Sequence, residues 1–373
     1  MRKTRVVPFL FALLLIFALP FQQVNAADSK DDSKNTVTEL LKEVYTNEQN
    51  LNSYKFEGSL NLGLELSETD EIDPEIGMIL ELLKDIQVDI SGAYKKDPMQ
   101  IEATIDLTLK GDLQTTFSMP IVMTEEKMWI KYPDTPFLPL PEEVKGKFIE
   151  FNLVELAEIS GQPATIDYDL QQKLTTEIYN LFFDVLGKDF YKEVDSSSVT
   201  IPEGVEVDKV IKFEITNETL KPFIKKVVNE LLPKYVELFK NPEYIKALGL
   251  TVEDIKTLKE LKDSFTEEGI SINELVDELL TKLDKYLTIN QLDEIIVITE
   301  DNYISYDEGT IDFTVSVEDE GSFNVKLSFV QSKSNVNEEF DFSIGIPSSE
   351  DVLPFEVLME IEEEALLNLE NQQ

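Results

Sequence analysis

The chain has 373 residues and carries a formal charge of −41, from 74 acidic and 33 basic side chains. It contains neither histidine nor cysteine, which excludes Ser-His-Asp and Cys-His nucleophiles, His-ligated zinc and disulfides. So acidic a surface repels nucleic acid and anionic headgroups, while an apolar fraction of 42% suffices for a sizeable core.

Arg2, Lys3 and Arg5 precede an apolar run, Pro8 to Phe21, and then Val24-Asn25-Ala26. This order predicts a secretory signal peptide over residues 1–26, cleaved after Ala26 or Ala27. The apolar run is short for a membrane span, no later stretch approaches that length, and no Cys follows to carry a lipid anchor. The expected location is extracytoplasmic in a bacterium, secreted or in the cell envelope, without a stable membrane anchor. Residues 27–35 read as a flexible polar leader, and 36–373 as one domain.

Thr36 and Glu39 form the pattern of a capping box ahead of Val37, Leu40, Leu41, Val44 and Tyr45, which predicts a helix to about Leu51. From Tyr54 to Ser67 the chain alternates strictly, with Phe56, Leu60, Leu62, Leu64 and Leu66 on one side. Similar runs follow at Val88 to Tyr94, Ile101 to Leu109, Leu113 to Met123 and Lys127 to Tyr132. Their short connections argue for antiparallel pairing. The prolines from Pro133 to Pro141 exclude a central strand. A short strand or helix start is expected at Phe148 to Leu153. A helix is expected over Asp169 to Leu186, with Gly187 as its C-terminal cap.

Val207 to Ile215 reads as a strand, followed from Thr219 by a helical insert reaching about residue 287. Pro233 and Pro242 should break this insert, and Thr251 with Asp254 and Ser271 with Glu274 should cap two of its helices. Strands return at Ile295 to Thr299, Ile311 to Val317, Phe323 to Val330 and Phe340 to Ile346. An acidic amphipathic helix closes the chain at Leu353 to Leu369. The predicted class is α+β, a large curved antiparallel sheet with helices against one face.

Several stretches together resemble the LolA/LppX-like superfamily of exported lipoproteins and lipoprotein carriers, particularly its Gram-positive members. They are the exported start, the capped helix ending in Leu51-Asn52-Ser53-Tyr54-Lys55-Phe56-Glu57-Gly58, and the long alternating strands. The turn and aromatic strand from Met123 to Pro133 (with Trp129), the segment from Leu140 to Phe151, and Val210 to Ile215 feeding the helix of Leu220 to Leu232 complete the pattern. The resemblance implies a half-open barrel whose concave face, covered by helices, encloses an apolar cavity for acyl chains or a lipidated partner. It implies a lipid binder or carrier, not an enzyme. The chain departs from the lipoprotein members in lacking a lipobox Cys, and its helical insert is larger than the core fold needs.

The apolar strand faces either line a ligand pocket or pack as ordinary core. Phe56, Leu60, Leu62, Leu64, Ile105, Leu107 and Trp129 are the candidate lining residues. Trp129 is out of phase with Met128, Ile130 and Tyr132, so it belongs at a rim or under the proline segment, with a partner for its ring N–H. Two acidic clusters invite calcium: Glu68, Asp70, Glu71, Asp73 and Glu75, and Asp301, Asp307 and Glu308. Neither follows the EF-hand order, and both read as solvated loops. Carboxylate pairs suited to acid–base hydrolysis cannot be singled out among so many acids. There is no Gly-rich phosphate loop, G-x-S-x-G, CxxC or basic aromatic patch. No catalytic residue, metal or cofactor is therefore expected. The expected partner is a lipid or acylated protein, with no nucleic acid. The competing reading is a structural or protein-interaction module of the envelope with a fully packed core, whose C-terminal helix packs on its own sheet or docks a partner.

Overall fold

The computed structural model describes residues 36–66, 84–110, 114–135, 140–159, 168–247, 277, 280–281, 283, 285–317 and 321–361. The signal peptide, the leader, the first acidic cluster and the caps at Thr251 and Ser271 lie outside these residues.

The elements run as α1 (Val37–Glu48), β1 (Ser53–Leu66), β2 (Asp85–Lys96), β3 (Met99–Lys110), β4 (Gln114–Thr124), β5 (Lys127–Ile130) and β6 (Phe148–Asn152). Then come α2 (Leu153–Ile159), α3 (Tyr168–Phe190), β7 (Tyr191–Val194), β8 (Lys209–Glu214), α4 (Asn217–Lys226), a π-helical turn (Val227–Leu231), α5 (Leu232–Leu238) and α6 (Pro242–Ala247). Finally come β9 (Leu287–Ile298), β10 (Ile304–Val317), β11 (Gly321–Ser334) and β12 (Val352–Pro354).

All twelve strands join one open sheet, in the order β12-β6-β5-β4-β3-β2-β1-β11-β10-β9-β8-β7. Every pairing is antiparallel except that of β12 with β6. The architecture is the predicted α+β sheet. Its two strand blocks meet where β1 pairs with β11, from Lys55 opposite Ser334 to Leu66 opposite Phe323. Directly opposed residues share a face, so this register carries the apolar phase from one block into the other. Leu60 stands beside Phe329 on one side and Val88 on the other.

The helices pack on one end of that face. Leu40, Leu41 and Val44 of α1, Phe183, Leu186 and Phe190 of α3, and Leu220, Phe223 and Ile224 of α4 form a continuous buried core. Its strand side consists of Tyr191, Ile211, Phe213, Ile289, Ile296, Ile298 and Ile304. Each large side chain buried in this way contributes about 1.5–3 kcal/mol. Across the sheet, Val210, Ile295, Val297 and Tyr306 are buried with the 195–207 segment, through Val199, Ile201 and Val205.

Thr36 caps α1, its Oγ1 accepting the N–H of Glu39 at 3.3 Å. Gly187 lies inside α3 rather than at its end. A methyl group there would meet Thr38 Oγ1 at 2.7 Å, so the glycine permits close approach of α3 to α1 instead of stopping the helix. The insert begins at Asn217, not Thr219, because Thr216 and Thr219 form the capping box between them. Pro233 does not break the helix. It has no N–H to donate back one turn, and the backbone widens into the π-helical turn just before it.

Phe340 to Ile346 is not a strand. Although its residues alternate, no strand of the sheet pairs with it. Its backbone N–H groups turn to a side chain: Glu102 of β3, only 4% exposed, accepts from Ser343 (2.5 Å), Ile344 (2.7 Å) and Gly345 (3.1 Å). Lys95 Nζ adds a bond to the Phe340 carbonyl at 2.5 Å. The segment is thus strapped across the outer face of β3. The expected C-terminal helix is present over 355–361 after β12, and the remainder lies outside the described residues.

Removing the Glu102 carboxylate orphans three N–H groups at once. Glu102→Ala should cost about 2–4 kcal/mol in urea unfolding, with new proteolytic cleavage around Ser343 to Gly345. A variant as stable as the parent would show that this strap holds nothing.

Candidate functional site

Register alone aligns the apolar phases of β9, β10, β11, β1, β2, β3 and β4. One row runs Phe213, Glu294, Gly309, Phe329, Leu60, Val88, Leu107 and Phe117. A second runs Ile296, Asp307, Gln331, Gly58, Ile90, Ile105 and Met119. At roughly 4.8 Å per strand, each row extends about 24 Å from β9 to β3.

The helical core ends at β10. Beyond it, on β1, β2, β3, β4 and β11, the only buried apolar-phase side chains are Tyr54, Tyr94 and Ala103. Leu60 and Ile90 are each 36% exposed, and Leu62, Leu64, Val88, Ile105, Leu107, Phe117, Val325, Leu327 and Phe329 are half-buried. The opposite phase of the same strands is polar, as Gln87 and Asp89 on β2 illustrate.

Two aromatic rings on this face lie low. A methyl at Gly92 would stand 2.6 Å from Phe56 Cζ, and one at Gly309 would stand 2.4 Å from Phe329 Cε1. Each ring rests on the bare backbone of the glycine opposite it.

Six of the seven candidate lining residues, Phe56, Leu60, Leu62, Leu64, Ile105 and Leu107, therefore share this face. Trp129 does not. It pairs with Val122 on the other phase and is buried, its Nε1–H donating to Glu150 Oε2 at 2.9 Å. Glu150 also pairs with Lys127 Nζ at 2.8 Å. The indole is packed on the outer face and cannot line a site on the inner one.

Where the helical core gives way to the open face, the apolar phase is interrupted by charge. Glu294, Asp307, Gln331 and Lys333 all occupy apolar-phase positions on three neighbouring strands. Glu48 of α1 pairs with Lys333 and accepts the N–H of Ile304 at 2.7 Å. Lys333 also lies over the Tyr54 ring, 5.8 Å from its centroid. Asp307 is 2% exposed. Its Oδ2 accepts from Gln331 Nε2 at 3.2 Å, whereas Oδ1 accepts no hydrogen bond from a described residue.

Burial pushes the Asp307 carboxyl up to about 7, against the opposing pull of the Gln331 hydrogen bond and the Lys333 charge. Burial, reinforced by Asp307, pushes Glu294 well above the usual carboxyl range. Glu294 nevertheless keeps some accessible surface. Tyr45, Tyr179 and Tyr191 surround it. Each has its phenol raised, by burial first and by the Glu294 charge second. The Tyr45 and Tyr179 rings meet at 4.5 Å between centroids.

The second acidic cluster does not converge. Asp307 points to the inner face, Glu308 accepts from Tyr306 Oη at 2.8 Å on the outer one, and Asp301 sits in the β9–β10 turn. Among the described residues, no group of three His, Cys, Asp or Glu side chains is placed to hold a metal. Glu294, Lys333 and the tyrosines were not singled out by the sequence reading. The available signal was polar side chains in the apolar phase at matching heights of β9, β10 and β11.

Compared with models of known protein families and with curated proteins, the chain matches none.

Asp307 holds its proton to a higher pH when folded than the ordinary carboxyl value of about 3.9. Its penalty on folding is therefore absent below about pH 4, grows as pH rises through 7 and is complete above it. Asp307→Asn should stabilise the protein at pH 8 by an amount on the order of 1–4 kcal/mol and change little at pH 4. Thermal melts at the two pH values check this. A variant that melts no higher than the parent at pH 8 contradicts it.

Proposed function

We propose that this chain is an exported, non-enzymatic protein that binds a hydrophobic ligand, a lipid or an acylated peptide, between its sheet and its helices. The carrying observation is the half-exposed apolar phase of β1–β4 and β11. Leu60, Leu62, Leu64, Ile105 and Leu107 present it in continuous rows next to a helical core that is fully packed. A protein that needed only a core has no use for five strands' worth of half-exposed apolar surface. Seating an acyl chain on it yields about 0.8 kcal/mol per methylene buried. The rings of Phe56 and Phe329 lie down on Gly92 and Gly309, which offers such a chain a flat aromatic surface. Resemblance to the LolA/LppX-like superfamily points the same way, as does the reading of residues 1–26 as an export signal. No described helix is long and apolar enough to cross a membrane.

A neutral fluorescent lipophile tests the reading without involving charge. The protein should take it up with a blue-shifted, saturable signal. Leu60→Gln combined with Leu107→Gln should weaken uptake about tenfold or more, since each adds a polar amide to the track. Both side chains are only half-buried, so the melting temperature should fall by a few degrees at most. Absence of uptake by the parent, or equal uptake by the double variant, contradicts the reading and favours a structural or interaction module.

A further inference from the structure

Resting on that reading, we infer that the ligand is an amphiphile with a cationic, hydrogen-bond-donating head, a primary ammonium, seated against Glu294 and the unpartnered Oδ1 of Asp307, with its tail along the row from Phe329 through Leu60 and Val88 to Leu107. Three observations converge on this.

The first is charge. Three carboxyls, Glu48, Glu294 and Asp307, gather at the border of the apolar face with one lysine among them, and Lys333 is committed to Glu48. The other two carboxyls therefore share this desolvated border with a lysine whose ion pair is made to the third. Glu308, the next residue on β10, faces away and pairs with Tyr306, and the surrounding Tyr45, Tyr179 and Tyr191 supply no positive charge. Burial raises both carboxyls, reinforced at Glu294 by the Asp307 charge.

The second is an open hydrogen-bonding position. Asp307 is 2% exposed, and one of its two oxygens lacks a donor among the described residues. Such an atom is costly to leave unsatisfied and is met by a ligand donor. An ammonium brings three donors and a charge that both carboxylates favour.

The third is continuity. Glu294 stands directly opposite Gly309, whose partner is Phe329 and then Leu60. Gly309 bears no side chain and the Phe329 ring lies over it, so the apolar track begins on the strand next to Glu294. A fatty-acid carboxylate in the same place would face two acids, so the arrangement selects against the commonest anionic amphiphiles.

The test uses the full chain at pH 8, where an alkylamine is charged, in about 0.5 M salt to screen general attraction to the acidic surface. Titration calorimetry compares dodecylamine, lauric acid and dodecanol. Dodecylamine should bind at least about tenfold more tightly than lauric acid. Asp307→Asn and Glu294→Gln should each weaken dodecylamine about tenfold while leaving dodecanol within about threefold. Melting curves confirm that both variants are folded, and Asp307→Asn is the variant expected to gain stability. Lauric acid binding as tightly as the amine, or amine binding indifferent to both substitutions, overturns this head-group assignment while leaving the apolar-face reading intact. Binding of none of the three overturns both.

Discussion

The pairing of β1 with β11 is the contact on which the rest of the structure depends. It joins an N-terminal meander and a C-terminal one, separated by the helical region, into one twelve-stranded sheet. A slip of one residue would turn every apolar side chain of one block to the opposite face. With the observed register, Leu60 continues Phe329, Leu62 continues Leu327 and Leu64 continues Val325, so the apolar phase crosses from one block into the other along these rows. The described helices then cover one end of that surface.

Among the described residues the sheet therefore shows two regimes. Around Ile211, Ile296, Phe223 and Phe183 the side chains are sealed, and packing is of the interior kind. Around Leu60, Ile90 and Leu107 the same alternation meets no equally complete cover. At the seam between the regimes the fold tolerates Glu294 and Asp307, two carboxyls whose desolvation lowers its stability at neutral pH. A position that weakens the fold and lies beside an open apolar track is better accounted for by recognition than by packing.

Much of this was legible in the residues, and the failures have physical causes. Alternation identified β1 through β4 almost to their ends, because Leu60, Leu62 and Leu64 leave no other phase. The same alternation misled at Phe340 to Ile346. Periodicity reports a two-faced extended chain, not a ladder partner, and here the partner is the Glu102 carboxylate. Gly187 read as a helix stop because the sequence could not show Thr38 pressed against it. The box at Thr216 was missed because its second member is Thr219 rather than an acid. Asp307 read as one acid of a loop cluster because the strand was expected only from Ile311, whereas it begins at Ile304 with a register shift before Tyr306. Counting in twos from Ile304 puts Tyr306 and Glu308 on the inner face, whereas the bulge places Asp307 there. Trp129 was already out of phase, and the structure places it with Glu150 on the outer face.

The central claim is that the uncovered apolar phase of β1–β4 and β11 receives an apolar occupant. Photolabelling with a neutral diazirine-bearing lipophile, read by peptide mass spectrometry, tests it at the level of residues. The account predicts cross-links concentrated on Leu60, Leu62, Ile105, Leu107 and Phe329, and competed away by unlabelled lipophile. Cross-links absent from these strands, or confined to the 355–361 helix, would contradict it.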